Sequence, residues 1–291
     1  MKQFFYCIVL IVIMSCGRGR NDNRAAIITV SIPPFKYFVR EIAGDKFDVN
    51  VMVPPGSNPH IYEPYPEQVN MLMKSSAYIS NGYLGFEMTW LDRFYEMNRG
   101  MKKLSLGDGI EPMRGGDDHE GSGKEAADPH YWVSPKSAFG MAERIRDFLT
   151  VLDRGDSLLF ELNYKRFVKK ITEADSCARL LTTEGGPRSF MIYHPNLAYL
   201  ARDYGLEEIA VEYDGKEPSP ARLKYLIDRA KAENLKVILV QREYDSRNAR
   251  AIADETGSRV VIIDPLAEDW YRSTMNIIEV LKDSFANNTN K

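Results

Sequence analysis

From residue 26 onward the chain alternates two kinds of apolar pattern. AIITVSI (26–32) is a short β-branched run, and FDVNVMV (47–53) alternates apolar and polar positions until PPG ends it, so both read as strands. Between them, PPFKYFVREIAGD opens on prolines, sets Phe35, Phe38, Val39 and Ile42 at helical spacing and stops at Gly44, which predicts a helix. The alternation continues with a helix in PEQVNMLMKSS, a strand in AYISNG, a helix in FEMTWLDRFYEMN and a strand in KKLSL. Strands separated by helices in this way predict a parallel sheet.

The pattern breaks at residues 107–129, GDGIEPMRGGDDHEGSGKEAADP, which is rich in Gly, Asp and Glu and has no apolar period; it reads as a long exposed loop. After DPHYWVSP, KSAFGMAERIRDFLTVL predicts a helix and RGD a break. Residues 157–181 then run without Pro or Gly, with Leu158, Leu162, Phe167, Ile171, Ala174, Ala178 and Leu181 at roughly helical spacing. A charged helix of about two dozen residues is long for a globular protein and commonly bridges two bodies. A second set follows: strands in RSFMIYH, LEEIAVE, KVILVQ and RVVIID, and helices in PNLAYLARDYG, ARLKYLIDRAKAENL, NARAIADETG and from after DPLAED to about Phe285. The expected fold is therefore α/β, with two lobes, each a parallel sheet flanked by helices, joined by a single long connecting helix. The N-terminal lobe is expected over 26–152, the connecting helix over 153–184 and the C-terminal lobe over 185–291.

Composition changes this picture little: 44% hydrophobic residues suffice for real cores, and a net charge of -3 with both signs interspersed excludes the basic face a nucleic-acid partner needs. The first residues change it more. MKQ is followed by a continuous apolar run, Phe4–Met14, too short to span a bilayer as a helix and suited to a signal-peptide core. It ends in IMSCG, a small residue before a cysteine, which resembles the lipobox of bacterial lipoproteins. The expectation is a signal peptide at 1–15, a lipid on Cys16 and a tether over 16–25. Cys7 leaves with the signal, so Cys177 remains alone, with no intrachain disulfide available and a semi-buried structural role expected.

The candidate chemistry lies in the histidines, of which the chain has four. Three sit beside a proline: His60 in SNPHIYEP, His130 in DPHYW and His194 in YHPNL. The fourth, His119, falls in the acidic 107–129 loop. His194 ends one predicted strand and Asp264 ends another, and the C-terminal ends of parallel strands are where α/β proteins build ligand sites. Three imidazoles and a carboxylate suit a divalent transition metal such as zinc, and adjacent prolines stiffen the loops that carry them. No HExxH, CxxC or paired-histidine spacing is present. Singly, each residue could instead form a turn contact, a ring stack or a helix cap.

NPHIYEPYPEQ, DPHYWVSP, HPNLAYLARDYGL, EPSPARLKYLI and IDPLAEDWYRSTMNII, in this order, resemble the zinc/manganese solute-binding proteins of bacterial ABC transporters over nearly the whole mature chain. The resemblance implies a metal held between two lobes by His60 and His130 from the first and His194 and Asp264 from the second, with 157–181 as the connecting helix. It implies Zn2+ as cargo, with Mn2+ as the alternative, and delivery to an ABC permease by a monomer anchored to the membrane through Cys16. Three departures stand out. The His-rich loop of zinc-specific relatives is reduced to His119 among Asp117, Asp118, Glu120 and Glu125, which leaves either a weak acidic metal collector or a solvated loop. Glu243 lies just past its strand, as a second-sphere or alternative ligand, and Glu63 has the same standing. His194 is followed by Pro-Asn where relatives often place a small or acidic residue.

Two other functions fit the same residues. One is a surface adhesin in which the metal is structural, which predicts unfolding on chelation. The other is a lipid-anchored zinc hydrolase with Glu63 or Glu243 as general base. A shell closed by four protein ligands favours a carrier, because catalytic zinc keeps a position open for water.

Overall fold

The computed structural model describes residues 25–113, 127–182, 186, 188–212 and 215–289. The N-terminal half holds strands β1 (Ala26–Val30), β2 (Phe47–Val51), β3 (Ala77–Ser80) and β4 (Lys102–Ser105) and helices α1 (Pro33–Ala43), α2 (Pro66–Met73), α3 (Gly85–Met97) and α4 (Pro135–Leu152). Helix α5 (Ser157–Arg179) follows. The C-terminal half holds β5 (Ser189–Ile192), α6 (Ala198–Tyr204), β6 (Glu207–Ala210), α7 (Pro220–Ala232), β7 (Val237–Gln241), α8 (Arg247–Thr256), β8 (Arg259–Ile263) and α9 (Trp270–Thr289). Each half carries a four-stranded sheet, in the order β2-β1-β3-β4 and β6-β5-β7-β8, and every pair is parallel. The two sheets thus repeat one topology. In each, the switch in strand order lies beside the first strand of its half, which opens a crevice at the strand C-termini.

The expected fold class is the one observed. Most element ends shift by a residue or more: the connecting helix is Ser157–Arg179 instead of 153–184, preceded by a separate 3-10 turn at Arg154–Asp156, and two further ends are informative. Helix α6 begins at Ala198 rather than at Pro195, because the backbone N–H of Leu197 is drawn to the Glu208 carboxylate, 2.8 Å away, and residues 194–197 form a loop. Helix α9 runs to Thr289, past the expected end at Phe285.

Helix α5 packs on α1, α4 and α9. Its buried Phe160, Phe167, Ile171 and Ala178 belong to a hydrophobic core that continues from the first sheet to Ile192 and Leu239 of the second. At its centre Phe38 of α1 meets Phe167 edge-on at 4.8 Å and Trp270 of α9 at 5.1 Å. The halves are also tied by Trp132 Nε1, which donates to the Pro265 carbonyl at 3.0 Å, and by Trp270 Nε1, which donates to the Trp132 carbonyl at 2.6 Å. On the surface Lys36 and Arg40 of α1 both bind the Glu268 carboxylate, at 2.8 and 3.0 Å. Close-packed aromatic contacts of this kind repack in discrete steps and do not bend freely. Cys177 is half-buried on α5 and unpaired, and no described helix is long and apolar enough to cross a membrane.

Candidate metal centre

Local chemistry fixes each histidine before any ion is considered. His60 follows the buried Pro59 in the loop after β2, where the Asn58 side-chain oxygen accepts the His60 backbone N–H at 2.9 Å. Its carbonyl lies against Gly85: a Cβ there would stand 2.8 Å from the His60 oxygen, so only glycine admits this approach of helix α3 to the loop. His130 starts a short 3-10 turn, His130–Val133. Asp128 Oδ1 accepts both its backbone N–H and its ring Nδ1–H, each at 2.7 Å. The turn is anchored from below by Asn81, whose Nδ2 donates to the Pro129 carbonyl at 3.0 Å and whose carbonyl accepts the Tyr131 hydroxyl at 2.7 Å. Asn81 is itself placed by the buried Glu87, which accepts the backbone N–H groups of Asn81 and Gly82 at 3.0 and 2.6 Å.

His194 stands just beyond β5. The buried Gln241 clamps its backbone: Oε1 accepts the His194 N–H at 3.2 Å, and Nε2 donates to its carbonyl at 2.5 Å. Its ring Nδ1 lies 2.8 Å from Glu212 Oε1, a carboxylate with 5% side-chain exposure. Because a carboxylate only accepts, Nδ1 of both His130 and His194 carries the hydrogen, and the Nε2 lone pairs point inward.

The three rings converge. His60 Nε2 is 3.0 Å from His130 Nε2 and 3.2 Å from His194 Nε2. Among the described residues these histidines are the one group whose ligating atoms all lie within 4.8 Å of one another. Burial, and then the neighbouring imidazoles, hold the His60 ring well below the ordinary histidine pKa. Burial also lowers that of His194, against the opposing pull of Glu212. Three Nε2 lone pairs crowded at one point, with carboxylates behind His130 and His194, form a donor set for a divalent cation.

The carboxylates expected beside them have different places. Asp264 follows β8, but its Oδ2 lies 3.3 Å from Arg242 Nε, and it is not brought to the three Nε2 atoms. Arg242 and Glu243 share the turn after β7, so the cation paired with Asp264 and the carboxylate that lines the cavity come from adjacent positions. Pro59, Trp132, Asn196, Tyr244 and Leu266 also line the cavity, which has a volume of about 10 Å3. Glu243 has its pKa raised, chiefly by burial and then by Asp264. Glu63 is exposed and is not among the lining residues. His119 and Cys16, with the signal and tether, lie outside the described residues.

Sequence reasoning passed over Asp128, Glu212, Asn58, Gln241 and Tyr244. Asp128 was within reach, two residues before a ligand candidate in DPH. Glu212 lies just past β6 at a strand C-terminus, the location that singled out His194. Nothing in the sequence pairs Asn58 with Tyr244.

A nitrogen-rich cation site at the strand ends of two parallel lobes places the molecule among bilobal α/β metal-binding proteins. Its residues 28–284 match the model of the family described as zinc-uptake complex component A, periplasmic, and the chain belongs to that family. It is 26% identical over 302 residues to the high-affinity zinc uptake system protein ZnuA of Bacillus subtilis (strain 168), covering 97% of this chain and 94% of that protein. It is also 26% identical over 286 residues to the zinc-binding lipoprotein AdcA of Streptococcus pneumoniae (strain R6); this covers 93% of the chain but spans only 56% of that relative's length. A crystal structure of ZnuA superposes with a TM-score of 0.83 at 35% identity, covering 90% of this chain and 99% of that one. A zinc-bound ZnuA deletion mutant (138-173) superposes with a TM-score of 0.81 at 35% identity, covering 90% and 98%. A manganese-bound mutant of a periplasmic metal-binding protein of Candidatus Liberibacter asiaticus, 24% identical with a TM-score of 0.74, shares the fold.

Proposed function

We propose that the protein captures a divalent transition metal outside the cytoplasm, zinc first, and delivers it to an ABC permease while anchored by a lipid on Cys16. The observation that carries this reading is the convergence of three imidazole Nε2 atoms at the lobe boundary, two of them backed by carboxylates. His60 and His130 bind from the N-terminal lobe and His194 from the C-terminal lobe. An all-nitrogen set favours zinc over manganese, which prefers oxygen donors and stands lower in the affinity order. The fourth position falls to a carboxylate that must move in, either Glu243 from the cavity wall or Asp264 once its ion pair with Arg242 opens, since neither lies within the three-histidine cluster.

The size of the cavity supports a carrier over a hydrolase. About 10 Å3 is room for a single ion or water, whereas organic ligands commonly occupy roughly 300–1,000 Å3. Continuous packing through α5 and α9 supports modest lobe movement on metal release, with change confined to the ligand loops. It also supports an apo form that stays folded, unlike an adhesin built around a structural metal. The test is a melting curve in chelator beside one with zinc. A cooperative apo transition that moves upward with zinc supports a carrier, and loss of fold in chelator supports the structural-metal reading.

A further inference from the structure

One contact at the cavity joins the two lobes without passing through an ion. Tyr244 belongs to the C-terminal lobe, and its ring lies nearly parallel on the His194 imidazole, with centroids 4.7 Å apart and planes 13° apart. Its hydroxyl accepts a hydrogen bond from Asn58 Nδ2 at 3.3 Å, and Asn58 stands in the N-terminal lobe. The oxygen of the same amide accepts the His60 backbone N–H at 2.9 Å. A single side chain therefore fastens the backbone of one candidate ligand to the phenol that covers another. Other ties between the lobes, such as those through Trp132, Trp270 and Glu268 and from Tyr199 to the Asp128 carbonyl at 2.8 Å, do not join His60 to His194.

We propose that the Asn58–Tyr244 bridge is a latch that sets how fast the cation leaves. His60 and His194 cannot part until the amide–hydroxyl bond opens and the ring slides off the imidazole, so the latch adds to the barrier for release. The inference rests on the reading of His60 and His194 as metal ligands. Tyr244 and Asn58 act through those ligands and are positioning residues. Loss of one neutral hydrogen bond should speed release about fivefold. Loss of the stacked ring as well should bring the total to the order of tenfold or more.

The test loads the protein with Zn2+, mixes it with excess chelator and follows release by stopped flow. The variants are Tyr244→Phe, Asn58→Ala, the double variant and Tyr244→Ala, and the melting temperature of each apo form is measured alongside. The latch predicts that Tyr244→Phe, which keeps the ring and the fold, releases zinc about fivefold faster with an almost unchanged apo melting temperature. The double variant should release no faster than the faster single one, because both remove the same bond. Tyr244→Phe releasing at the wild-type rate, or two single effects that multiply in the double variant, would overturn the latch. Zinc binding by His194→Ala equal to wild type would overturn the ligand reading and the latch together, whereas unchanged release rates with His194-dependent binding overturn the latch alone.

Discussion

Glu212→Gln separates a carboxylate's contribution to metal binding from its contribution to the fold. Glu212 Oε1 stands 2.8 Å from His194 Nδ1 with 5% side-chain exposure, so little water screens its charge from the ring. Glutamine keeps the shape, and its carbonyl can still accept Nδ1–H, so the imidazole tautomer is retained. What is lost is the negative charge that makes Nε2 a stronger donor. Disrupting such outer partners typically lowers metal affinity about 10–100-fold, or roughly 1.4–2.7 kcal/mol at 25 °C. Glu212→Gln should fall near the lower end and Glu212→Ala, which also frees the ring to turn, near the upper. The apo protein should respond differently: replacing a buried charge with a neutral amide removes a desolvation cost, so the apo melting temperature should hold or rise. Competition with a chromophoric chelator gives the affinity, and thermal melting of the apo protein gives the stability. A folded Glu212→Gln protein that binds zinc within twofold of wild type would refute the reasoning.

Other predictions follow from the same geometry. Asp264→Asn should change zinc affinity by less than about threefold, since Arg242 holds that carboxylate, while Glu243→Gln, at the cavity wall, should cost more; the two affinities compared in one titration series check this. Trp270→Ala removes an indole that is 1% exposed and packed on Phe38 and Phe167, and should cost about 3–5 kcal/mol in chemical denaturation. With His60 and His194 held below the unfolded histidine value of about 6.5, the unfolded chain takes up protons first as pH falls. Their contribution to apo stability is therefore complete above about pH 6.5 and declines as pH drops from there toward the lowered folded values. Zinc affinity should likewise stay nearly flat from pH 8 to about 6.5 and fall only below it, a decline later than free imidazoles would give, read from binding isotherms across that range.

Much of this was legible in the sequence because it depends on local patterns. Short apolar runs alternating with segments of helical spacing marked both sheets, and the absence of Pro and Gly over 157–181 marked α5. The prolines beside His60, His130 and His194 flagged three loops that the fold brings to one point. What remained hidden depends on distant partners. Asp264 occupies a strand end as favourable as that of His194, and its ion pair with Arg242 on the neighbouring turn follows from no local pattern. Glu243 takes a place on the cavity wall because β7 ends at Gln241 and the turn beyond it points two consecutive charges in different directions. The Asn58–Tyr244 contact spans 186 residues of chain, and no periodicity encodes it.

The most direct measurement of the central claim is zinc titration of chelator-stripped protein, residues 24–291, in wild type and His194→Ala, with manganese as competitor. The account predicts one tight zinc equivalent per chain, little displaced by manganese, and lost or strongly weakened in a His194→Ala protein that still melts cooperatively. No stoichiometric binding, or binding indifferent to His194, would contradict it.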